Sequence, residues 1–99
     1  MKILHINDFE HYSGAETAVD MLREFQEKKG IKTFLATKEQ IGHLVPDIIK
    51  RSRCKKLYKK IKPDVIHLHN NTSIGLAPII AAQKLKIPLV WTLHDYRGI

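Results

Sequence analysis

The residues of this 99-residue chain best suited to chemistry are polar clusters that follow short apolar runs. Asn7-Asp8, Thr37, His69-Asn70-Asn71 and His94-Asp95 each close a β-rich stretch, and Ser13-Gly14 opens a helical one. His94, beside Asp95 at a strand end, can donate or accept a hydrogen bond to a substrate near neutral pH. The Asn7–Gly14 loop joins a strand to a helix N-terminus, where backbone N–H groups favour a phosphate or carboxylate. It contains only Gly14, so it is neither a Gly-x-Gly-x-x-Gly fingerprint nor a Walker loop, and a capped helix without a ligand is the alternative. His67 and His69 alternate on one face of a strand, as metal ligands can. No third ligand stands at a suggestive spacing and there is no Cys cluster, which argues against zinc. His5 and His67 fall mid-strand and read as core histidines with hydrogen-bonded partners. Cys54, the single cysteine, reads as packing, and its solitude fits a reducing cytosol. No Ser-His-Asp arrangement is visible.

These residues need elements to position them. Lys2–Asn7 (KILHIN) reads as a first strand, apolar on both faces and therefore buried. Ser13 with Glu16 three residues on is a capping-box pattern opening a helix. Ala15, Ala18, Val19, Leu22 and Phe25 give that helix one apolar face, and Gly30 stops it. Lys32–Thr37 is a second strand. Ile41–Lys62 carries two apolar sets, Leu44/Val45/Ile48/Ile49 and Cys54/Leu57/Tyr58/Ile61, on opposite faces of any straight helix. The spacing therefore predicts a break near Arg51–Arg53, with the second piece ending before Pro63. Val65–Asn70 (VIHLHN) is a third strand. Thr72 or Ser73 caps a third helix that runs to about Lys86, with Pro78 in its first turns, apolar nearly all round and so well buried. Leu89–Leu93 is a fourth strand.

Alternating strands and helices specify an α/β open parallel sheet, and right-handed crossovers put helices on both faces. Ligands of such sheets bind outside the carboxyl ends of the strands, where the polar clusters lie. Asn/Asp turns alone also produce such strand ends. The whole chain reads as one domain, residues 1–99.

Charge is concentrated. Lys50, Arg51, Arg53, Lys55, Lys56, Lys59, Lys60 and Lys62 fall within thirteen residues with no acid among them, and the net charge of +7 comes from that segment. A solvated helix face, an anionic membrane surface and nucleic acid are the three readings. Interfacial helices interleave basic and apolar residues as Leu57, Tyr58 and Ile61 do here, although those three could equally face the sheet. No helix-turn-helix or RNA-stacking motif supports nucleic acid. The longest apolar run, Ile74–Ala82, is nine residues and contains Pro78, against roughly 20 for a membrane span. The N-terminus, broken by His5 and Asn7, has no signal-peptide core.

In order along the chain, Lys2–Asn7, Ser13-Gly14-Ala15-Glu16, Pro63–Asn70 (PDVIHLHN) and Pro88–Tyr96 (PLVWTLHDY) resemble the N-terminal half of group 1 (family 4) glycosyltransferases. The resemblance covers essentially the whole chain but only the first part of that family's N-terminal domain. It implies a truncated GT-B N-terminal domain, Rossmann-like, with about four strands in the order 2-1-3-4. It implies a retaining transfer of a sugar from a nucleotide-diphosphate sugar to a saccharide or lipid-linked acceptor, with no metal and no cofactor. His94 matches the histidine that contacts the transferred sugar, Gly14 the loop that approaches the donor diphosphate, and Asn70 the acceptor side. Ser13 stands where members often have a second glycine, and Asp95 completes the strand-end motif. The basic residues from Lys50 to Lys60 match a helix through which several members dock on membranes. The family's nucleotide-binding second domain is not among these residues. The chain is therefore expected to be inactive alone, cytoplasmic, membrane-associated through that helix, and joined to the second domain or a partner chain that carries it. The alternatives are a non-catalytic, membrane-recruiting half of a split transferase and a small phosphosugar- or nucleotide-binding module. With the order 2-1-3-4, the fourth strand is an apolar edge, and self-association into a homo-oligomer is expected there.

Overall fold

The computed structural model of the chain describes residues 1–7, 14–42, 44–69 and 74–92, with the side chains of its first helix described from Val19 onward. Its elements are β1 (Lys2–Ile6), α1 (Gly14–Lys28), β2 (Lys32–Ala36), α2 (Lys38–Ile41), α3 (Asp47–Ile61), β3 (Val65–Leu68), α4 (Ala77–Leu85) and β4 (Leu89–Trp91). The four strands form one sheet in the order β2-β1-β3-β4, and every pairing is parallel. This is the expected α/β Rossmann-like sheet with helices on both faces.

The two faces differ in chemistry. Side chains alternate along a strand, so Leu4 and Ile6 of β1 share a face with Ile66 and Leu68 of β3. That face is dry: Ile41, Cys54, Tyr58, Ile74, Ala77, Ala81 and Ala82 close over it from α2, α3 and the α4 region. Tyr58 is the largest fully buried side chain among the described residues, and its hydroxyl donates to the Pro78 carbonyl at 2.9 Å, which ties α3 to the start of α4. Burial pushes the Cys54 thiol up to about 12, so it is inert packing, as its sequence context indicates. The opposite face carries His5, Thr33 and His67 beneath α1. Arg23 Nε of that helix donates to Thr33 Oγ1 at 3.2 Å.

Several boundaries depart from the sequence reading. α3 is one continuous helix across Arg51–Arg53, and the Asp47–Arg51 ion pair at 3.2 Å spans the start of the expected break. The break is unnecessary because only one of the two apolar sets is in the core. Cys54 and Tyr58 are buried, while Leu44 and Ile48 are 87% and 68% exposed. α2 is an element the apolar periodicity does not reveal. It exists because Thr37 caps it: Thr37 Oγ1 accepts from Glu39 N, and Gln40 Oε1 accepts from Thr37 N at 2.7 Å. α4 starts at Ala77, after a turn over 74–76, and Thr72 and Ser73 lie outside the described residues. Pro78 sits in its first turn, where the missing N–H costs nothing. The helix is less buried than its composition predicts, since Leu76 at its N-cap is 55% exposed. On α1, Val19 is buried but Phe25 is exposed, with the Lys29 ammonium 5.5 Å from its ring centre. The face towards the sheet is centred on Val19, Arg23 and Gln26. Gly30 ends this helix at φ +86°, a conformation that favours glycine.

Candidate functional site

The carboxyl ends of the strands are aligned by backbone bonds that continue each ladder one residue past its strand. Asn7 N donates to Ala36 O (3.0 Å), His69 N to Ile6 O (2.9 Å) and Thr92 N to Leu68 O (2.9 Å). Asn7, Thr37 and His69 are all buried polar residues at this end of the sheet. Burial of such groups requires partners, and Asn7 and His69 both have them. The described part of the crevice floor is therefore polar and fixed in position.

Behind that rim lies a histidine cluster. The β1–β3 register places His5 opposite His67. His69, two residues on, falls on the same face. His67 and His69 stack at 4.0 Å between ring centres, and His5 lies 5.4 and 5.2 Å from them. Gln26 Oε1, on α1, lies 2.8 Å from His5 Nε2. A carbonyl oxygen can only accept, so Nε2 carries the proton and, in the neutral ring, Nδ1 is bare. His69 Nε2, 2.9 Å from His5 Nδ1, is then the donor. His67 Nε2 meets Thr92 Oγ1 at 2.7 Å. Burial, opposed by the Gln26 hydrogen bond and reinforced by His67 and Arg23, lowers the His5 pKa from 6.5 to about 4. His5 and His67 are thus hydrogen-bonded histidines, as the sequence indicates. The close approach of His5 to His69 is what sequence reasoning missed. Its signal was present: β1 and β3 both read apolar-apolar-His-apolar, Ile3-Leu4-His5-Ile6 against Val65-Ile66-His67-Leu68.

Of the residues singled out for chemistry, Ser13, Asn70, His94 and Asp95 lie outside the described residues, and Gly14 is described as the first residue of α1. The basic segment lies on α3, remote in sequence from the strand ends. Lys56, Lys59, Lys60 and Arg53 are exposed, and Lys50, Arg51 and Lys55 are half-buried. Lys84 of α4 lies against this stripe and holds the Lys55 ammonium below its ordinary range, with desolvation, Arg51 and Lys59 adding to the effect. Tyr58 is buried, and Leu57 and Ile61 pack against the core, so they face the sheet rather than solvent. The exposed apolar residues of α3 and the turn before it are instead Leu44, Ile48 and Ile49.

A model of Glycosyltransferase Family 4 matches residues 12–97. The chain belongs to this family. Among solved structures, the family 4 chain is similar to the UDP-GlcNAc 2-epimerase from Neisseria meningitidis bound to UDP-GlcNAc, at 18% identity and a TM-score of 0.70. That match covers 98% of this chain and 34% of the epimerase. A second UDP-N-acetylglucosamine 2-epimerase matches at 15% identity and a TM-score of 0.52, covering 93% of this chain and 33% of that one. At such identities the likeness is one of fold, and the family 4 chain spans about a third of each. Comparison with curated protein sequences finds no match.

The depressed His5 pKa sets a pH window for stability. The unfolded ring binds a proton below about 6.5, whereas the folded ring does so only below about 4. Stability is therefore complete above pH 6.5, falls as pH drops from 6.5 to 4, and is flat for this group below 4. The loss is on the order of 3 kcal/mol at 1.36 kcal/mol per pKa unit. Urea denaturation at pH 7 and pH 4.5 reads it, and His5→Asn removes most of the difference. A wild-type slope that survives unchanged in His5→Asn contradicts the assignment.

Proposed function

We propose that this family 4 domain forms the acceptor-side half of a GT-B glycosyltransferase. In the intact enzyme, sugar moves from a nucleotide-diphosphate donor to a saccharide or lipid-linked acceptor. The observation that carries this reading is the family match over residues 12–97 on a parallel sheet whose strand ends are polar and aligned. In it, His94 contacts the transferred sugar with Asp95 beside it, the Ser13-Gly14 loop offers backbone N–H groups to the diphosphate, and Asn70 meets the acceptor. The nucleotide-gripping groups belong to the second domain or to a partner chain, so these 99 residues do not transfer sugar alone. Turnover and calorimetric titration with a panel of nucleotide sugars, UDP-GlcNAc among them, test this. The expected result is neither turnover above a protein-free control nor binding tighter than about 1 mM, a free energy of roughly −4 kcal/mol. Turnover by the chain alone overturns the location of the donor site, and tight binding favours a small nucleotide-sugar-binding module instead.

The basic stripe of α3 supports a second element of the same reading, docking on an anionic membrane from the cytoplasmic side. Like charges crowd there beyond the one pair that Asp47 makes with Arg51, and Leu44 and Ile48, exposed at and just before the start of α3, offer insertable apolar groups. Each basic residue near such a surface contributes about 1 kcal/mol, screened over roughly 8 Å at physiological salt. Co-sedimentation with phosphatidylserine vesicles is expected to exceed that with phosphatidylcholine and to weaken with salt. It should be lost when Lys55, Lys56, Lys59 and Lys60 are all replaced by Glu. Equal binding to both vesicles, or no loss in the variant, leaves a merely solvated helix face.

Self-association at β4 completes the reading. Among the described residues β4 is an edge strand, and Val90 and Trp91 are 53% and 44% exposed on it. Light scattering is expected to give twice the chain mass, falling to the monomer in Val90→Lys. A monomer at high micromolar concentration contradicts it.

A further inference from the structure

The histidine cluster has a geometry that hydrogen bonding alone does not require. His5, His67 and His69 each present one ring nitrogen, and the three nitrogens lie within 4.8 Å of one another. They come from two adjacent strands whose ladder fixes the Cα positions. Zinc–imidazole bonds of about 2.0–2.1 Å at tetrahedral angles set ligand nitrogens about 3.3 Å apart. His5 Nδ1 and His69 Nε2 are already 2.9 Å apart and open slightly, while the widest separation in the cluster, up to 4.8 Å, closes as the rings rotate about their side-chain bonds.

The surroundings match a metal site in two further respects. Metal-bound histidine characteristically anchors its other ring nitrogen on an oxygen acceptor. His5 does so through Nε2 on Gln26, and His67 Nε2 has Thr92 Oγ1 at 2.7 Å. His5 and His69 are closed off from solvent, whereas His67 is half-buried, so the cluster opens on one side only. A set of three imidazoles suits zinc, copper or nickel rather than magnesium or calcium.

We propose that His5, His67 and His69 form a zinc site with three protein ligands and a fourth position open to water or a ligand on the His67 side. His5 binds through Nδ1 and His69 through Nε2. His69 passes its proton from Nε2 to Nδ1, so both lone pairs turn to the ion with no net change in protonation. The ion ties β1 to β3 directly behind the crevice rim. It has no part in the transfer reaction proposed above, and its failure leaves that reading intact.

The test is titration of the metal-stripped chain with zinc chloride by calorimetry, with cobalt chloride as a visible-absorption probe. One equivalent is expected to bind, with cobalt giving tetrahedral bands and zinc displacing it. A variant with His11, His43 and His94 all replaced by Gln keeps that binding. His67→Gln weakens it at or beyond the upper end of the roughly 10–100-fold lost with a single supporting partner, and Gln26→Leu by an amount within that range. Should His67→Gln fail to fold, zinc-induced 15N shifts on His5 and His69 of the unaltered chain decide the matter. No binding, binding lost in the triple variant, affinity unchanged in folded His67→Gln, or no shift at His5 and His69 overturns the proposal.

Discussion

The parallel register of β1 against β3 is the constraint on which the rest of the domain depends. It sets Leu4 beside Ile66 and Ile6 beside Leu68 on the face that becomes the core, and it sets His5 beside His67 on the other. A slip by one residue would move both sets to the wrong face at once. Imidazoles would then enter the dry core against Tyr58 and Ala81, and leucines and isoleucines would meet Arg23 and Gln26 of α1. The polar face therefore specifies register as strongly as the apolar one. It does so because buried imidazoles need partners, and Gln26 and Thr92 supply them only in the observed alignment.

The asymmetry of the two faces also explains how the helices divide. α3 and α4 pack on each other and on the sheet through small or interlocking groups, Cys54, Tyr58, Ala77, Ala81 and Ala82, and this core holds the described buried apolar residues other than Ile3 and Val19. α1 instead meets the sheet through Val19 and a polar pair of contacts, Arg23 to Thr33 and Gln26 to His5. The outer side of α3 is left free to carry charge. It can hold seven Lys and Arg between Lys50 and Lys60 because Cys54 and Tyr58 alone, with Leu57 and Ile61 at their flanks, anchor it to the core.

The alternation of strands with helices and the parallel strand direction were legible in the sequence, because short apolar runs alternate with capped helical ones, and the strand order 2-1-3-4 was what the family resemblance implied. Where reading failed, the reasons are local and physical. α2 is a single turn made by one capping box, Thr37 with Gln40, too short to show apolar periodicity. The expected break in α3 assumed that Leu44 and Ile48 must be buried, and they are not. Periodicity reports which residues could share a face, not whether that face is covered. The pairing of His5 with His67 and His69 spans more than sixty residues and exists only through strand pairing, so its sequence signal, the matching apolar-apolar-His-apolar runs of β1 and β3, has meaning only once those two strands are known to be neighbours. The crevice residues Asn7 and His69 were legible as strand-end polar groups, and their burial follows from the ladder bonds that extend past each strand.

Family membership and fold place this chain among family 4 glycosyltransferase domains, while the histidine cluster is a property of its own strands. β1 and β3 are joined across that face by a directional hydrogen bond from His69 to a neutral His5 held by Gln26. Side-chain 15N NMR of the histidines in the metal-free chain at neutral pH measures this directly. The account predicts that His5 carries its proton on Nε2, with a bare Nδ1 accepting the proton of His69 Nε2. A His5 protonated on Nδ1, or on both nitrogens, would contradict it.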